Sequence, residues 1–288
     1  MDPCLYALIS TYVPEHFSVL TELANGFLIK EVKDGDTYAN GVPHSFNGEP
    51  ALQDKRIRYW FYHGKLHRDD DLPAEVHTDG TQMWFQHGVI HRDNGPAMIF
   101  SDGTEEWYQH GECHRDNDLP AVVRPDGAQV WYQHGEIHRD NDLPAWKDGF
   151  AQQWYKNGEL HRDNNLPAVI RSDGTQMWYQ NGEIHRDNDL PALTDGFDFQ
   201  QWYKKGKLHR INGPASIVYG RETWYKNGKL HRDNGPAIIQ DGVEQWYRNG
   251  KLHRGDGPAV IRPREKEWWR NGKMIYHDIE DDDDYWSN

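Results

Sequence analysis

A histidine–arginine pair is the most prominent chemically active feature of this sequence. It occurs nine times, first at residues 67–68 and last at residues 253–254, and aspartate often follows it. Imidazole, guanidinium and carboxylate groups in such a pattern could bind metal ions or anions. A metal site, however, needs three or four ligands that converge on one point, whereas a repeat spaces its ligands at regular intervals. We therefore predict no metal site and expect each histidine to pack on a tryptophan across a hairpin, with arginine bonded to aspartate or to loop carbonyls. The repeated histidines are His67, His91, His114, His138, His161, His185, His209, His231 and His253.

Tryptophan follows the same repeat. Ten of the 13 tryptophans occupy one register, with spacings of 22 to 24 residues. They are Trp60, Trp84, Trp107, Trp131, Trp154, Trp178, Trp202, Trp224, Trp246 and Trp268. Exposed aromatic rows can stack sugars or single-stranded bases. A thin fold also needs large aromatic side chains to fill its narrow core, and we expect this second role here.

No recognisable catalytic motif accompanies these rows. The sequence has no nucleophile motif, phosphate-binding loop or H-E-x-x-H pattern. A catalytic residue occupies one position in a chain, whereas the conspicuous residues here recur nine or ten times. We therefore predict a protein that is not an enzyme, with no catalytic residues and no cofactor.

Composition and charge exclude several classes of protein. The formal net charge is −14, which disfavours nucleic acid and anionic membrane surfaces as partners because both attract basic protein surfaces. No run of about 18 apolar residues predicts a transmembrane helix. The first ten residues, MDPCLYALIS, lack the features of a secretory signal, and Cys4 and Cys113 are the only cysteines. We expect an intracellular, cytoplasmic protein.

The repeat unit has the turn signals of β-hairpins. Asn-Gly or His-Gly after nine of the ten repeated tryptophans indicates a two-residue type I′ turn, and Asp-Gly indicates a second turn at the other end of the strand. In the repeat of Trp178, two-residue turns predict that Tyr179 pairs with Ile184 and that Ile170 pairs with Met177. Repeat length varies near Asp-Gly and between D-N-G-P and D-N-D-L-P, which indicates tolerant loops.

The repeats define three segments of the chain. Residues 31–277 form an array of about eleven units, of which the first has Thr37 at the tryptophan position and the last lacks His-Arg and Pro-Ala. Residues 1–30 show helical spacing, with Leu5 to Val13 in a first helix and Phe17 to Leu23 in a second, and we predict a helical cap. Residues 278–288 carry six acidic residues and predict a disordered tail.

The order W-x-x-N-G-K-x-H-x-x-x-G-P-A, followed by D-G, resembles MORN repeats. The H-R-D-N-G-P-A version resembles the variant MORN-like repeats that are common in bacteria and in giant DNA viruses. Arginine, as at Arg68 and Arg232, replaces the glycine that follows histidine in MORN repeats. The resemblance covers about residues 31–277 and implies an elongated, all-β array of antiparallel hairpins used as a scaffold. A viral origin would place the protein in the host cytoplasm or the virion.

These observations predict a binding function rather than a catalytic one. We expect protein–protein binding to unknown partners through an extended β face, with homodimer formation as a second use. One alternative is a ligand-binding module for glycans or acidic phospholipids that uses the Trp, Tyr or Arg rows. A second is an F-box-like adaptor, because L-x-x-L-I-x-x-Y-V-P-x-x-F near the N-terminus resembles the start of an F-box.

Overall fold

The structure is a computed structural model that describes residues 17–22, 28–32, 36–39 and 41–280, the first two ranges as backbone strands only. Every regular element in these ranges is a β-strand, so the described part of the chain contains no helix that could cross a membrane. Contacts divide the chain into two compact units, residues 1–149 and residues 150–288. The predicted all-β class is confirmed for the described residues.

Each repeat contains two hairpins with the tryptophan between them. In the repeat of Trp178, the strands Val169–Arg171 and Gln176–Met177 form a hairpin of a larger antiparallel sheet. The strands Tyr179–Gln180 and Glu183–Ile184 form a separate two-stranded hairpin, which we call the ribbon of the repeat. The Trp178 amide donates to the Ala192 carbonyl (2.8 Å), while its own carbonyl accepts from the His185 amide (2.9 Å). Tryptophan is therefore the residue at which the strand leaves the sheet and enters the ribbon.

In the N-terminal unit, the sheet is an antiparallel meander and a ribbon follows each tryptophan or its equivalent. A separate four-stranded sheet contains Phe17–Glu22, Leu28–Val32, Thr37–Ala39 and Val42–Pro43. The meander contains Leu52–Gln53, Ile57–Tyr59, Glu75–His77, Gln82–Met83, Met98–Ile99, Glu105–Glu106, Val122–Val123, Gln129–Val130 and Trp146–Lys147. The ribbons are Phe61–Tyr62 with Lys65–Leu66, Phe85–Gln86 with Val89–Ile90, Tyr108–Gln109 with Glu112–Cys113, and Tyr132–Gln133 with Glu136–Ile137.

The C-terminal unit repeats this arrangement. Its meander contains Ala151–Gln153, Val169–Arg171, Gln176–Met177, Leu193–Thr194, Phe199–Gln201, Ser216–Val218, Arg221–Thr223, Ile238–Gln240, Val243–Gln245, Val260–Arg262, Glu265–Arg270 and Lys273–Ile279. Its ribbons are Tyr155–Lys156 with Glu159–Leu160, Tyr179–Gln180 with Glu183–Ile184, Tyr203–Lys204 with Lys207–Leu208, Tyr225–Lys226 with Lys229–Leu230, and Tyr247–Arg248 with Lys251–Leu252.

The two turns of a repeat differ in type. Asn181 and Gly182 have φ values of 47° and 73°, which fit a type I′ turn, and the predicted pairing of Tyr179 with Ile184 is confirmed. The Asp-Gly turn instead has three residues, because the Arg171 amide donates to the Thr175 carbonyl and Gly174 takes a φ of 88°. Met177 therefore pairs with Val169, and the predicted pairing with Ile170 is wrong by one residue. Asp-Gly fits both a two-residue turn and a three-residue turn with a G1 bulge, and this choice decides the register.

The variation in repeat length comes from two loops. The Asp-Gly turn has three residues in the repeat of Trp178 but two in the repeat of Trp246, where Asp241 and Gly242 have φ values of 48° and 75°. The loop after histidine gains one further residue wherever D-N-D-L-P replaces D-N-G-P. Every alanine of the Pro-Ala pairs is fully buried beside the sheet. The variable residues thus lie in loops and leave the position of each tryptophan unchanged.

The N-terminal segment differs from the prediction. Phe17–Glu22 is a strand, where a second short helix was expected, and it pairs with Leu28–Val32. Leu28–Val32 in turn pairs with Thr37–Ala39 of the first repeat. Strand pairing satisfies the amide and carbonyl groups of this edge directly, which a helix cannot do. The first predicted helix lies outside the described residues, as do residues 281–288 of the predicted tail.

The first and last repeats adapt the same geometry. The Thr37 amide donates to the Ala51 carbonyl and its carbonyl accepts from the His44 amide, which are the bonds that tryptophan makes elsewhere. At the other end, Glu265–Arg270 pairs with Lys273–Ile279 in one long hairpin. This hairpin continues because the last repeat lacks the Pro-Ala that ends the ribbon in other repeats. It extends two residues beyond the predicted end of the array.

Candidate functional site

The arginine of each His-Arg pair lies on the tryptophan of its own repeat. Across nine repeats, the guanidinium carbon is 3.6 to 4.1 Å from the centroid of the indole ring. In the repeat of Trp178, Arg186 also donates from Nη1 to the Pro191 carbonyl (3.1 Å). Cation–π stacking and a carbonyl bond therefore hold the arginine row within the protein.

The longer loop supplies a carboxylate to the next repeat. Arg139 donates from Nε and Nη2 to both oxygens of Asp118, at 2.7 Å each. This hydrogen bonding lowers the pKa of Asp118 below its usual value. The Trp131 indole also donates to the Asp118 carbonyl (3.0 Å). The D-N-D-L-P loop, expected to be merely tolerant, therefore links adjacent repeats, and Asp71 and Asp189 bind Arg92 and Arg210 in the same way.

From Trp84 onwards, the burial of each predicted tryptophan follows the length of the preceding loop. The tryptophans that follow a D-N-D-L-P-type loop, together with Trp60, are buried. Trp107, Trp224, Trp246 and Trp268 follow a shorter loop and are half-buried. None of the ten is exposed, so they do not form a free aromatic row.

The row of repeated histidines connects neighbouring repeats. His231 accepts a hydrogen bond at Nδ1 from the Asn249 amide in the next turn (3.1 Å), and its Nε2 lies 2.9 Å from Asp233 of its own repeat. A backbone N–H can only donate, so Nδ1 is unprotonated and the proton of the neutral ring is on Nε2. The packing of histidine on tryptophan stays a prediction, whereas the hydrogen bond from the next repeat is a contact that was not predicted. Equivalent bonds are made by His67, His91, His114, His161, His185, His209 and His253.

His209 shows what happens when the aspartate is absent. Ile211 occupies the position of the usual aspartate, while Nδ1 still accepts from the Asn227 amide (3.1 Å). Burial, together with the positive charges of Lys204 and Lys226, lowers the pKa of His209. The histidine position therefore serves the contact between repeats even without a carboxylate.

The side chain that follows the tryptophan, in the ribbon, forms a hydrogen bond with the side chain that precedes it, in the sheet. Tyr155 donates its hydroxyl to Gln153 (2.7 Å), and Tyr108 donates to Glu106 (3.0 Å). Glu106 is buried, and burial raises its pKa, with a smaller opposing effect from the Tyr108 hydrogen bond. This pairing supplies a partner for polar groups on the inner face of the sheet.

The last three ribbons of the C-terminal unit and the turn of its final hairpin expose basic residues and no acidic ones. This surface, the basic row, comprises Lys204, Lys205, Lys207, Lys226, Lys229, Arg248, Lys251, Arg270 and Lys273. Among the described residues, Lys226 alone of this set has a carboxylate within 4 Å, with Nζ 3.7 Å from Asp233. The Gly228 amide donates to the Leu208 carbonyl (2.8 Å), and the turn glycine lies against the stem of Lys207. Consecutive ribbons are therefore in direct contact, and their cations form one continuous surface.

One group of side chains in the last hairpin has the composition of a metal site. Ligand atoms of Glu265, Glu267 and His277 lie within 4.8 Å of one another. Arg262 already donates to both glutamates, and the Trp269 indole donates to Glu267 (2.6 Å). Burial alone would raise the pKa of Glu267, but the hydrogen bonds from Arg262 and Trp269 lower it below its usual value. The arginine thus supplies the positive charge that these carboxylates need.

Comparison with known proteins gives no family. Neither the protein-family models nor the curated proteins include a match to this chain.

The basic row was missed because sequence reasoning averaged charge over the whole chain. The position after the ribbon glycine carries Glu112, Glu136, Glu159 and Glu183 in the middle repeats and lysine from Lys207 onwards. Aligning the repeats and following this position along the array would have revealed the change of sign. The net charge of −14 concealed it.

Proposed function

We propose that the protein is a non-enzymatic β-hairpin scaffold, similar to MORN-repeat proteins, that binds an acidic segment of a partner protein along the basic row. The observation that carries this proposal is the set of exposed cations on consecutive ribbons, nearly all without a carboxylate within ion-pair distance among the described residues. Unpaired like charges repel one another, and a negatively charged partner removes that repulsion.

Apolar side chains adjoin the basic row. Met274, Ile275 and Tyr276 are 49%, 60% and 56% exposed, and they follow Lys273 directly in the last strand. Protein interfaces combine apolar contacts with charged residues that fix orientation and speed association. A protein segment with acidic and apolar side chains fits this surface better than a uniformly charged polymer does.

The geometry gives less support to a binding module based on the Trp or Arg rows. The indoles are buried or half-buried, and the guanidiniums lie on them while bonded to proline carbonyls. A glycan or phospholipid at these rows would have to displace contacts within the fold. The F-box-like alternative rests on residues 1–30, most of which lie outside the described part of the chain.

The test compares charge reversals at one repeat position. Lys207→Glu, Lys229→Glu and Lys251→Glu together reverse three neighbouring cations of the basic row. The matched control, Lys65→Glu, reverses the same repeat position in a ribbon of the N-terminal unit. The probes are a fluorescein-labelled peptide of alternating glutamate and leucine, phosphatidylserine vesicles and a single-stranded oligonucleotide, each measured with the full chain.

We expect the peptide to bind, and the triple variant to weaken that binding about tenfold, or 1.4 kcal/mol, from three exposed ion pairs of about 0.5 kcal/mol each. Binding should also weaken at high salt, since exposed charges are screened. Lys65→Glu should leave the affinity unchanged. Equal losses in both variants, or binding to vesicles or oligonucleotide without binding to the peptide, would refute the proposal.

A further inference from the structure

A groove of about 670 Å³ lies within the N-terminal unit between the sheet and the ribbons. Tyr59, Met83 and Met98 line it from the sheet, while Phe85 and Ile90 line it from a ribbon. Binding sites for small molecules have about this volume and are lined mostly by apolar and aromatic side chains with a few polar groups. The groove therefore has the size and lining of a ligand site.

One carboxylate oxygen in the groove has no hydrogen-bond partner among the described residues. Glu75 is only 2% exposed, and its Oε1 lies 2.6 Å from Nε2 of His77. Its second oxygen, Oε2, is buried and accepts no hydrogen bond from any described residue. An unsatisfied buried oxygen costs about 1–3 kcal/mol, and more when the group is charged. A donor supplied by a ligand would remove this cost.

Phe85 occupies the wall of this groove where most other repeats have a ribbon tyrosine. Glu75 lies in the sheet between Tyr59 and Met83. In other repeats a ribbon tyrosine donates its hydroxyl to a polar residue of the sheet, as Tyr108 does to Glu106. At the equivalent ribbon position, the groove has Phe85, which has no hydroxyl. Phe85 thus makes this wall of the groove apolar and offers no hydroxyl to Glu75.

We propose that this groove binds a small apolar molecule with an ammonium group. The ammonium donates to Oε2 of Glu75, while the apolar part packs on Met83, Phe85 and Met98. Aromatic faces attract cations, and Tyr59 supplies one in the groove. The carboxylates of Glu112 and Glu136 at the groove favour a cation over an anion. This site lies in the N-terminal unit and does not depend on the basic row.

The experiment uses the full chain and two probes of equal size, 4-phenylbutylamine and the neutral 4-phenylbutanol, measured by isothermal titration calorimetry. We expect the amine to bind at least tenfold more tightly than the alcohol. Glu75→Gln should weaken amine binding about tenfold and alcohol binding much less, because the hydroxyl is a neutral donor. Glu159→Gln, which removes an exposed carboxylate at the same ribbon position as Glu112 but outside this groove, is the matched control and should change amine binding less than twofold.

A second variant and a second measurement keep the test decisive. Glu75→Asp retains the charge but shortens the side chain by one methylene, so it should also weaken amine binding. It replaces Glu75→Gln in the test if that variant does not fold. In a Cys4→Ser background, the amine should slow alkylation of Cys113, a buried thiol that lines the groove. Equal affinity for amine and alcohol, equal losses in Glu75→Gln and Glu159→Gln, or no binding of the amine would overturn the proposal.

Discussion

Replacing His231 tests whether the histidine row holds consecutive repeats together. The ring is 8% exposed, accepts a bond from the Asn249 amide in the next repeat and lies beside Asp233 of its own repeat. His231→Ala removes both interactions and the packing of the ring. His231→Asn is the matched variant, because its Oδ1 is attached at the same carbon as the histidine Nδ1 and can still accept from the Asn249 amide.

The magnitude follows from the exposure of each partner. The bond from the Asn249 amide to the ring is worth about 1 kcal/mol. The contact with Asp233 is worth at most about 0.5 kcal/mol, because that carboxylate is largely exposed. Lost packing adds about 1 kcal/mol. His231→Ala should therefore cost about 2–3 kcal/mol, and His231→Asn about 1 kcal/mol less.

Amide hydrogen exchange at Asn249 measures the bond between repeats directly, and urea denaturation measures the total loss. Protection of this amide should fall about tenfold in His231→Ala but remain close to wild type in His231→Asn. Equal protection in the two variants would show that the bond contributes nothing. A melting temperature lowered by EDTA would indicate instead that the histidines bind metal.

Three further changes follow from the same contacts. Burial raises the pKa of Glu106, so the stability that its protonated form contributes is lost as pH rises above the pKa of the unfolded chain. Glu106→Gln should therefore stabilise the protein by about 1 kcal/mol at pH 8. Thermal melts should show that this stabilisation vanishes near pH 4. Asp118→Asn should cost about 1 kcal/mol in urea denaturation at pH 7, since it removes the charge that Arg139 binds while tolerating the positive φ of 55°. The lowered pKa of Asp118 implies that this difference disappears as pH falls below about 4. The lowered pKa of His209 means that its contribution is lost as pH falls below about 6.5, so His209→Asn should lose less stability than wild type between pH 7 and pH 5.

Local turn chemistry was predictable from sequence where only one backbone conformation fits. Asn181-Gly182 requires positive φ at two consecutive residues, and this fixes both the type I′ turn and the pairing beside it. Asp173-Gly174 permits two turn lengths, and the register there depended on the neighbouring strands. The short segment Phe17–Glu22 was also ambiguous, because a few apolar residues fit a helix or a strand until a pairing partner is known.

The candidate sites were less predictable because they depend on residues from different repeats. The interaction of Asp118 with Arg139 joins residues 21 apart, and its origin in one extra loop residue appears only when the loop is folded. The surroundings of Glu75 likewise come from more than one repeat, because it lies between Tyr59 and Met83 in the sheet, and no single-repeat pattern identifies them.

The sequence by itself determined the hairpin repeat, the position of each tryptophan and the places where repeat length varies, because these depend on local backbone preferences and on periodic burial. The tertiary structure alone decided which groups remain free. Stacking of repeats uses the guanidiniums, imidazoles and indoles for contacts within the fold. It leaves the lysines of the C-terminal ribbons exposed, and one buried carboxylate oxygen of Glu75 without a partner in the part of the chain that the structure describes. Whether a side chain is free depends on every neighbour that surrounds it, and those neighbours come together only in the folded chain.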